Sequence, residues 1–199
     1  SGETSSLRSN PLKLAEFALS RKDPLYVGRA KAAQALEDDR RAAVEGGVPV
    51  RGEAEKLLVS AGMADAAAQT AIGSVIFAVK PGDGSAREQA ASSQRVLGGQ
   101  ANFAEEYATK RYRSNLINWG MIPFITDSAD RDKFKAGEWL LIPDIRAAIE
   151  SGAEEVEARL IGPGGEGEKI SLKMPGLTKD DRAIILAGCL MNFYANENK

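Results

Sequence analysis

The sequence predicts a mixed α/β fold: a partly parallel sheet, extended by antiparallel strands, with helices packed against it. Three observations carry this. Short apolar runs in the middle of the chain, "SVIFAV" (74–79), residues 100–103 and "MIPFIT" (121–126), alternate with segments of helical character. Such a succession pairs strands in parallel through right-handed crossovers. The tail adds "EVEARLI" and "KISLKM" about the glycine-rich "GPGGEGE", which reads as an antiparallel hairpin.

The elements follow in order. Residues 1–10 are small and polar and read as loop. "PLKLAEFALSRK" reads as a short helix with Pro11 in its first turn. "RAKAAQALEDDRRAAVEGG" is a helix stopped by Gly46 and Gly47. Within it, "EDDRR" reads as a solvated face with local ion pairs. "GEAEKLLVSAG" is a helix ending at Gly62, and alanine favours helix again in "MADAAAQTA". The β-branched run 74–79 has the pattern of a strand covered on both faces. Helices are expected over 86–96 and 105–118, the second ended by Gly120. "EWLLIP" reads as a strand, and "DIRAAIESG" as a helix capped by Asp144 and stopped by Gly152. A terminal helix starts at Thr178, its N-cap, with Asp180 and Asp181 in the first turn. Cys189 is expected on that helix, as a small buried apolar residue.

Composition narrows the chemistry. The 199 residues suit one domain, and 43% hydrophobic residues can fill a core. With 26 basic and 28 acidic residues the net charge is −2, which gives no electrostatic case for nucleic acid or an anionic membrane surface. No apolar run approaches the roughly 18 residues of a membrane span, and no secretory signal is evident. The expected setting is cytoplasmic and reducing. There is no histidine, so Ser-His and Cys-His nucleophile pairs and His-based metal sites are excluded. The single cysteine, Cys189, excludes an intrachain disulfide and an iron–sulfur cluster held within the chain.

The chemistry then centres on "KPGDGSAREQAA", residues 80–91, between strand and helix. Gly82 and Gly84 allow a tight turn and close backbone approach of a ligand. Ser85 is placed to cap the helix, whose free N–H groups form an anion site. Arg87 stands in the first turn, where the helix dipole disfavours a cation. A bound anion resolves that conflict, and the planar guanidinium suits a carboxylate. Glu88 either favours the dipole or holds Arg87. Taken alone, the pattern also fits an ordinary Gly-Ser cap with a solvated arginine. "GDGSAR" lacks the third glycine of a dinucleotide fingerprint, and the Gly-Lys-Ser/Thr of a P-loop is absent. Elsewhere, "KRYR" (110–113) reads as a helix face or domain contact, and Trp119 and Trp139 as residues in or near the core.

Residues 82–124 resemble the C-terminal swivelling domain of the aconitase family. The shared pattern is a Gly-Ser-x-Arg-Glu loop (Ser85 to Glu88), a helix, a Leu-Gly-Gly turn (Leu97 to Gly99), and a helix ending in Asn115-Leu116 and Gly120 to Pro123. Weaker similarity extends the match over roughly residues 70–199. The domain organisation this gives is a linker-derived segment, 1–30, and a single swivelling domain of β/β/α type, 31–199.

The resemblance implies an aconitase-like hydro-lyase, in which this domain closes over three further domains, or over a large subunit. Those carry a [4Fe–4S] cluster that acts on the departing hydroxyl; no cofactor is expected in this chain. Carried over, Ser85 is the catalytic base, Arg87 grips a substrate carboxylate, and Gly84 and position 86 complete the substrate loop. Arg8, in "SSLRSN", matches a second substrate-binding arginine. The family's second loop serine is Ala86 here, which points to a di- or tricarboxylate other than citrate or isocitrate. The isolated domain is expected to be inactive. Two alternatives stand beside this: an aconitase-like anion- or RNA-binding module without catalysis, and an unrelated α/β domain whose loop holds phosphate.

Overall fold

The structure, a computed structural model, describes residues 6–7, 9–162 and 165–197. Three helices open the chain: α1 Pro11–Ser20, α2 Tyr26–Glu45 and α3 Gly52–Ser60, followed by a 3-10 turn at Ala64–Gln69. Asn10 caps α1 by accepting from the Lys13 N–H, with Pro11 in the first turn, where a missing N–H costs nothing. Then come β1 Ser74–Ala78, α4 Arg87–Val96, β2 Gly99–Ala104, α5 Lys110–Asn118 and β3 Ile122–Ile125. The strands β1, β2 and β3 pair in parallel, as the alternation predicts.

A second 3-10 turn, Ser128–Lys133, leads to β4 Trp139–Leu141, α6 Ile145–Ser151, β5 Glu155–Gly162 and β6 Gly165–Lys173. The strands β5 and β6 form the expected antiparallel hairpin, and residues 163 and 164 of its turn lie outside the described residues. The six strands order as β1-β2-β3-β6-β5-β4, a mixed sheet. The main core fills one side of it, with Phe103, Phe124, Leu172 and Met174 packed against Ile149, Ile184 and Ile185 from the helices. Helices α4 and α5 cover the opposite side around Ala91, Tyr112, Leu116 and Met121.

The chain closes with α7 Lys179–Ala187 and α8 Leu190–Glu197. Thr178 caps α7 in a full capping box with Asp181. The single terminal helix of the sequence reading is thus two. Gly188 takes a left-handed conformation and breaks it, leaving Cys189 half-buried at the junction and not within a helix.

Four further expectations are corrected. The run 74–79 forms an edge strand over Ser74–Ala78 and is not fully buried: Val75 and Val79 are exposed. Residues 105–109 are not helical, because Glu106 and Ala108 donate their N–H groups to the Val79 and Pro81 carbonyls; α5 starts only after Thr109 caps it. Asp144 precedes α6 in a left-handed conformation and makes no side-chain cap. The "EDDRR" pairing is not solvated: Glu37 and Arg40 are buried, linked by two 2.8 Å hydrogen bonds, and tied to the Ile72 N–H and the Ala67 carbonyl. Residue 30, the boundary drawn from the sequence, lies inside α2, where Ala30 packs with Ala15 of α1 and with Leu97.

Candidate active site

The loops after β1, β2 and β3 all leave the carboxyl ends of the parallel strands, where ligands bind in open α/β sheets. The loop after β1 carries Gly82 to Ala86. Gly82 has φ of 100°, and a β-carbon there would sit 2.5 Å from Tyr112 Cβ, so only glycine lets the backbone cross this ring. Gly84 faces open space. Asp83, Gly84, Ser85 and Ala86 are exposed.

Ser85 is not the helix cap. Ala86 occupies that position, with φ −90° and ψ 51°, and no side chain caps α4. The turn is completed one residue later than the sequence suggests, at a residue with no oxygen to offer. The Ser85 hydroxyl has no hydrogen-bond partner among the described residues, and the first-turn N–H groups of α4 carry no cap.

Arg87, half-buried, curls back so that its Nε donates to the Gly82 carbonyl at 3.2 Å. Its two Nη groups make no hydrogen bond among the described residues. Glu88 does not hold the arginine. Its carboxylate accepts from Asn115 Nδ2 and Trp119 Nε1, each at 2.5 Å, which ties the first turn of α4 to α5. Trp119 is accordingly half-buried beside the Tyr112 cluster, near the core as expected.

The loop opens onto a cleft of about 1190 Å³, whose walls include both edge strands, β1 and β4. Phe134 stacks on Phe77 at 5.1 Å and on Phe103 at 5.7 Å at the apolar side of this cleft. Trp139 also lines it and is half-buried. Some charged groups at the rim are paired: Lys80 with Glu106 at 2.9 Å, and Arg29 with Asp23. Arg8 lies outside the described residues, so the structure places only Ser85, Ala86, Gly84 and Arg87 together.

Sequence reading missed what sits beneath the loop. Thr109 Oγ1 donates to the same Gly82 carbonyl at 3.1 Å, and accepts from the Tyr112 N–H as the α5 cap. The signal was present as a threonine three residues before Tyr112, ahead of "KRYR". In that segment Tyr112 is core. Its hydroxyl accepts from Gln94 Nε2 at 2.7 Å and Asn102 Nδ2 at 3.0 Å, and burial raises the phenol pKa, which keeps it neutral.

A cluster held on three cysteines does not fit this chain, which has Cys189 alone. Among the described residues no group of three or more Asp, Glu or Cys is arranged to hold a metal ion. Also among them, no helix is long and apolar enough to cross a membrane.

Comparison with known proteins supplies independent evidence. Residues 50–129 match the family model of the aconitase C-terminal domain. A mitochondrial homocitrate dehydratase of Saccharomyces cerevisiae is 32% identical over 119 residues, which are 58% of this chain and 15% of that protein. A mitochondrial protein of Emericella nidulans, assigned as an aconitate hydratase, is 34% identical over 113 residues, 56% of this chain and 14% of its own length. The aligned part of this chain thus spans only about one-seventh of these relatives. A crystal structure of 3-isopropylmalate dehydratase from Methanocaldococcus jannaschii is similar with a TM-score of 0.49 and 27% identity, over 66% of this chain and 69% of that one. The stretch matched by the family model contains the whole Ser85–Arg87 loop and the two helices that hold it, so over residues 50–129 the chain is similar to the aconitase C-terminal domain.

Proposed function

We propose that this chain is the closing domain of an aconitase-type hydro-lyase that dehydrates or hydrates a hydroxy di- or tricarboxylic acid. Ser85 is the base that takes the proton from the carbon beside a substrate carboxylate. The Nη edge of Arg87 grips that carboxylate, and Arg8 supplies a second contact. The partner is the set of further domains, or a large subunit, that carries the [4Fe–4S] cluster; the 14–15% share of the relatives' length leaves room for it.

One observation carries this reading: an unspent serine hydroxyl and an unspent guanidinium edge stand two residues apart at an uncapped helix N-terminus. A serine hydroxyl is a very weak base, and its alkoxide needs donors and positive charge nearby. The α4 N–H groups and Arg87 offer both. Ala86 removes one hydroxyl that the family uses, worth about 1 kcal/mol toward a carboxylate, so the substrate differs from citrate or isocitrate.

The test is Ser85→Ala in the full-length protein, with kcat and KM measured separately. A base contributes on the order of 10²–10⁴ in rate, so kcat should fall by that much with KM little changed. Arg87→Ala should raise KM as well. If Ser85→Ala leaves turnover intact, or changes only binding, the loop is an anion holder and the hydro-lyase role is wrong.

A further inference from the structure

The loop after β1 has two halves. Its first half is bolted to the chain after β2: the Val79 carbonyl accepts from the Glu106 N–H at 3.1 Å, and the Pro81 carbonyl from the Ala108 N–H at 2.9 Å. Its second half, Asp83 to Ala86, is exposed. Gly82 is the last anchored residue, and its carbonyl receives two donors at once, Thr109 Oγ1 at 3.1 Å and Arg87 Nε at 3.2 Å. A carbonyl oxygen has two lone pairs, so both bonds can form together.

From this shared acceptor we infer that Thr109 is a positioning residue for the site: it fixes the Gly82 carbonyl, which in turn orients Arg87 and closes the Ser85 loop. The inference rests on the reading of Arg87 as a carboxylate clamp. With Nε engaged, the guanidinium cannot rotate freely, and its two Nη groups are left for a ligand. The Thr109 hydroxyl is suited to the task because it is fixed itself. It accepts from the Tyr112 N–H at 3.2 Å, so its own hydrogen is left to point at Gly82. The Tyr112 side chain packs close against the Cα of Gly82 and braces the backbone that carries this carbonyl. Without the threonine donor, the carbonyl loses the partner that sets its direction, and Arg87 loses a fixed anchor.

A cap role alone would explain Thr109 without any effect on the loop, so the test separates the two. Thr109→Ser keeps cap and donor. Thr109→Gly removes the donor while costing the cap only a few tenths of a kcal/mol. Thr109→Val removes both and guards against a glycine-specific effect. The readouts, on the 199-residue chain, are solvent exchange of the Arg87 Nε–H by ¹⁵N NMR and the Kd for tricarballylate, with melting temperature as control. Thr109→Ser should match wild type. Both other variants should speed Nε–H exchange severalfold and weaken tricarballylate about fivefold, the worth of one modest hydrogen bond. Wild-type Nε–H exchange in Thr109→Gly and Thr109→Val would overturn the inference. Failure of the clamp reading looks different: Arg87→Ala would then bind tricarballylate as wild type does, while the exchange data still decide whether Thr109 sets the arginine.

Discussion

Gly82 crosses the ring of Tyr112 so closely that a β-carbon on the glycine would lie 2.5 Å from the tyrosine Cβ and 2.7 Å from its Cγ and Cδ1. The contact explains why one glycine of the loop is required and its neighbour is not. Gly82 also has φ of 100°, which L side chains rarely adopt. Gly82→Ala should therefore cost about 3 kcal/mol, or re-aim the carbonyl and release Arg87. Gly84→Ala, with nothing within 4 Å, should stay within about 0.5 kcal/mol of wild type. Denaturant melts of the two variants, side by side, check this; equal stabilities would contradict the close approach.

Removing the Tyr112 hydroxyl should act on stability and spare the loop. That hydroxyl accepts from Gln94 and Asn102, both buried. In Tyr112→Phe the ring still supports Gly82, but Asn102 Nδ2 loses its acceptor. A buried donor left unpaired costs about 1–3 kcal/mol. The variant should melt earlier while the Arg87 Nε–H signal stays in place. A shifted Arg87 signal would mean that the hydroxyl, and not the ring, supports the loop.

How much of this could be read from the sequence depends on how local each cause is. The Thr178 N-cap is set by residues three apart and was legible, though its reciprocal bond with Asp181 was not read. So was the spacing of Ser85 and Arg87, since both sit on one turn. The strand at 74–78 was legible, but not its place at the sheet edge, because an apolar run looks the same whether it faces a core or a cleft. Residues 105–109 have helical composition, but backbone bonds to Val79 and Pro81 hold them out of a helix, a tertiary effect that no local pattern contains. Glu37 and Arg40 carry the i,i+3 signature of a surface pair, yet they are buried and bonded to the backbone of Ile72 and Ala67, which are distant in sequence.

That buried pair gives the molecule a specific acid sensitivity. Burial alone would raise the Glu37 pKa, but hydrogen bonds from Arg40, the Ile72 N–H and Arg41 outweigh it and hold the carboxyl below its usual 4.5. A depressed carboxyl contributes stability that is fully present above the unfolded-state value and lost as pH falls through the folded one. Glu37→Gln should cost about 3 kcal/mol at neutral pH, since it leaves Arg40 buried without its counter-charge. It should also flatten the fall in stability below about pH 4.5. Melting both proteins across pH 3–7 tests the sign; parallel curves would show that Glu37 is not the group titrating.

Gly120, just after α5, and Gly188, between α7 and α8, approach each other closely. A β-carbon on Gly120 would overlap the carbonyl oxygen of Gly188, and Gly120 has φ of 70°. All the obstructing atoms belong to the Gly188 backbone, so no side chain can swing aside. Gly120→Ala should force α5 away from the α7–α8 junction and cost more than about 3 kcal/mol. Gly188→Ala meets only Asn192 Nδ2, at 3.7 Å, and bears just the penalty of its left-handed conformation, about 1–2 kcal/mol. The order of the two losses is the diagnostic. If Gly188→Ala proved the more damaging, the helices would be held by the turn at Gly188 itself and not by the backbone contact. In the expected order, the close approach anchors the terminal helices on α5, the helix whose cap, Thr109, reaches the Ser85 loop.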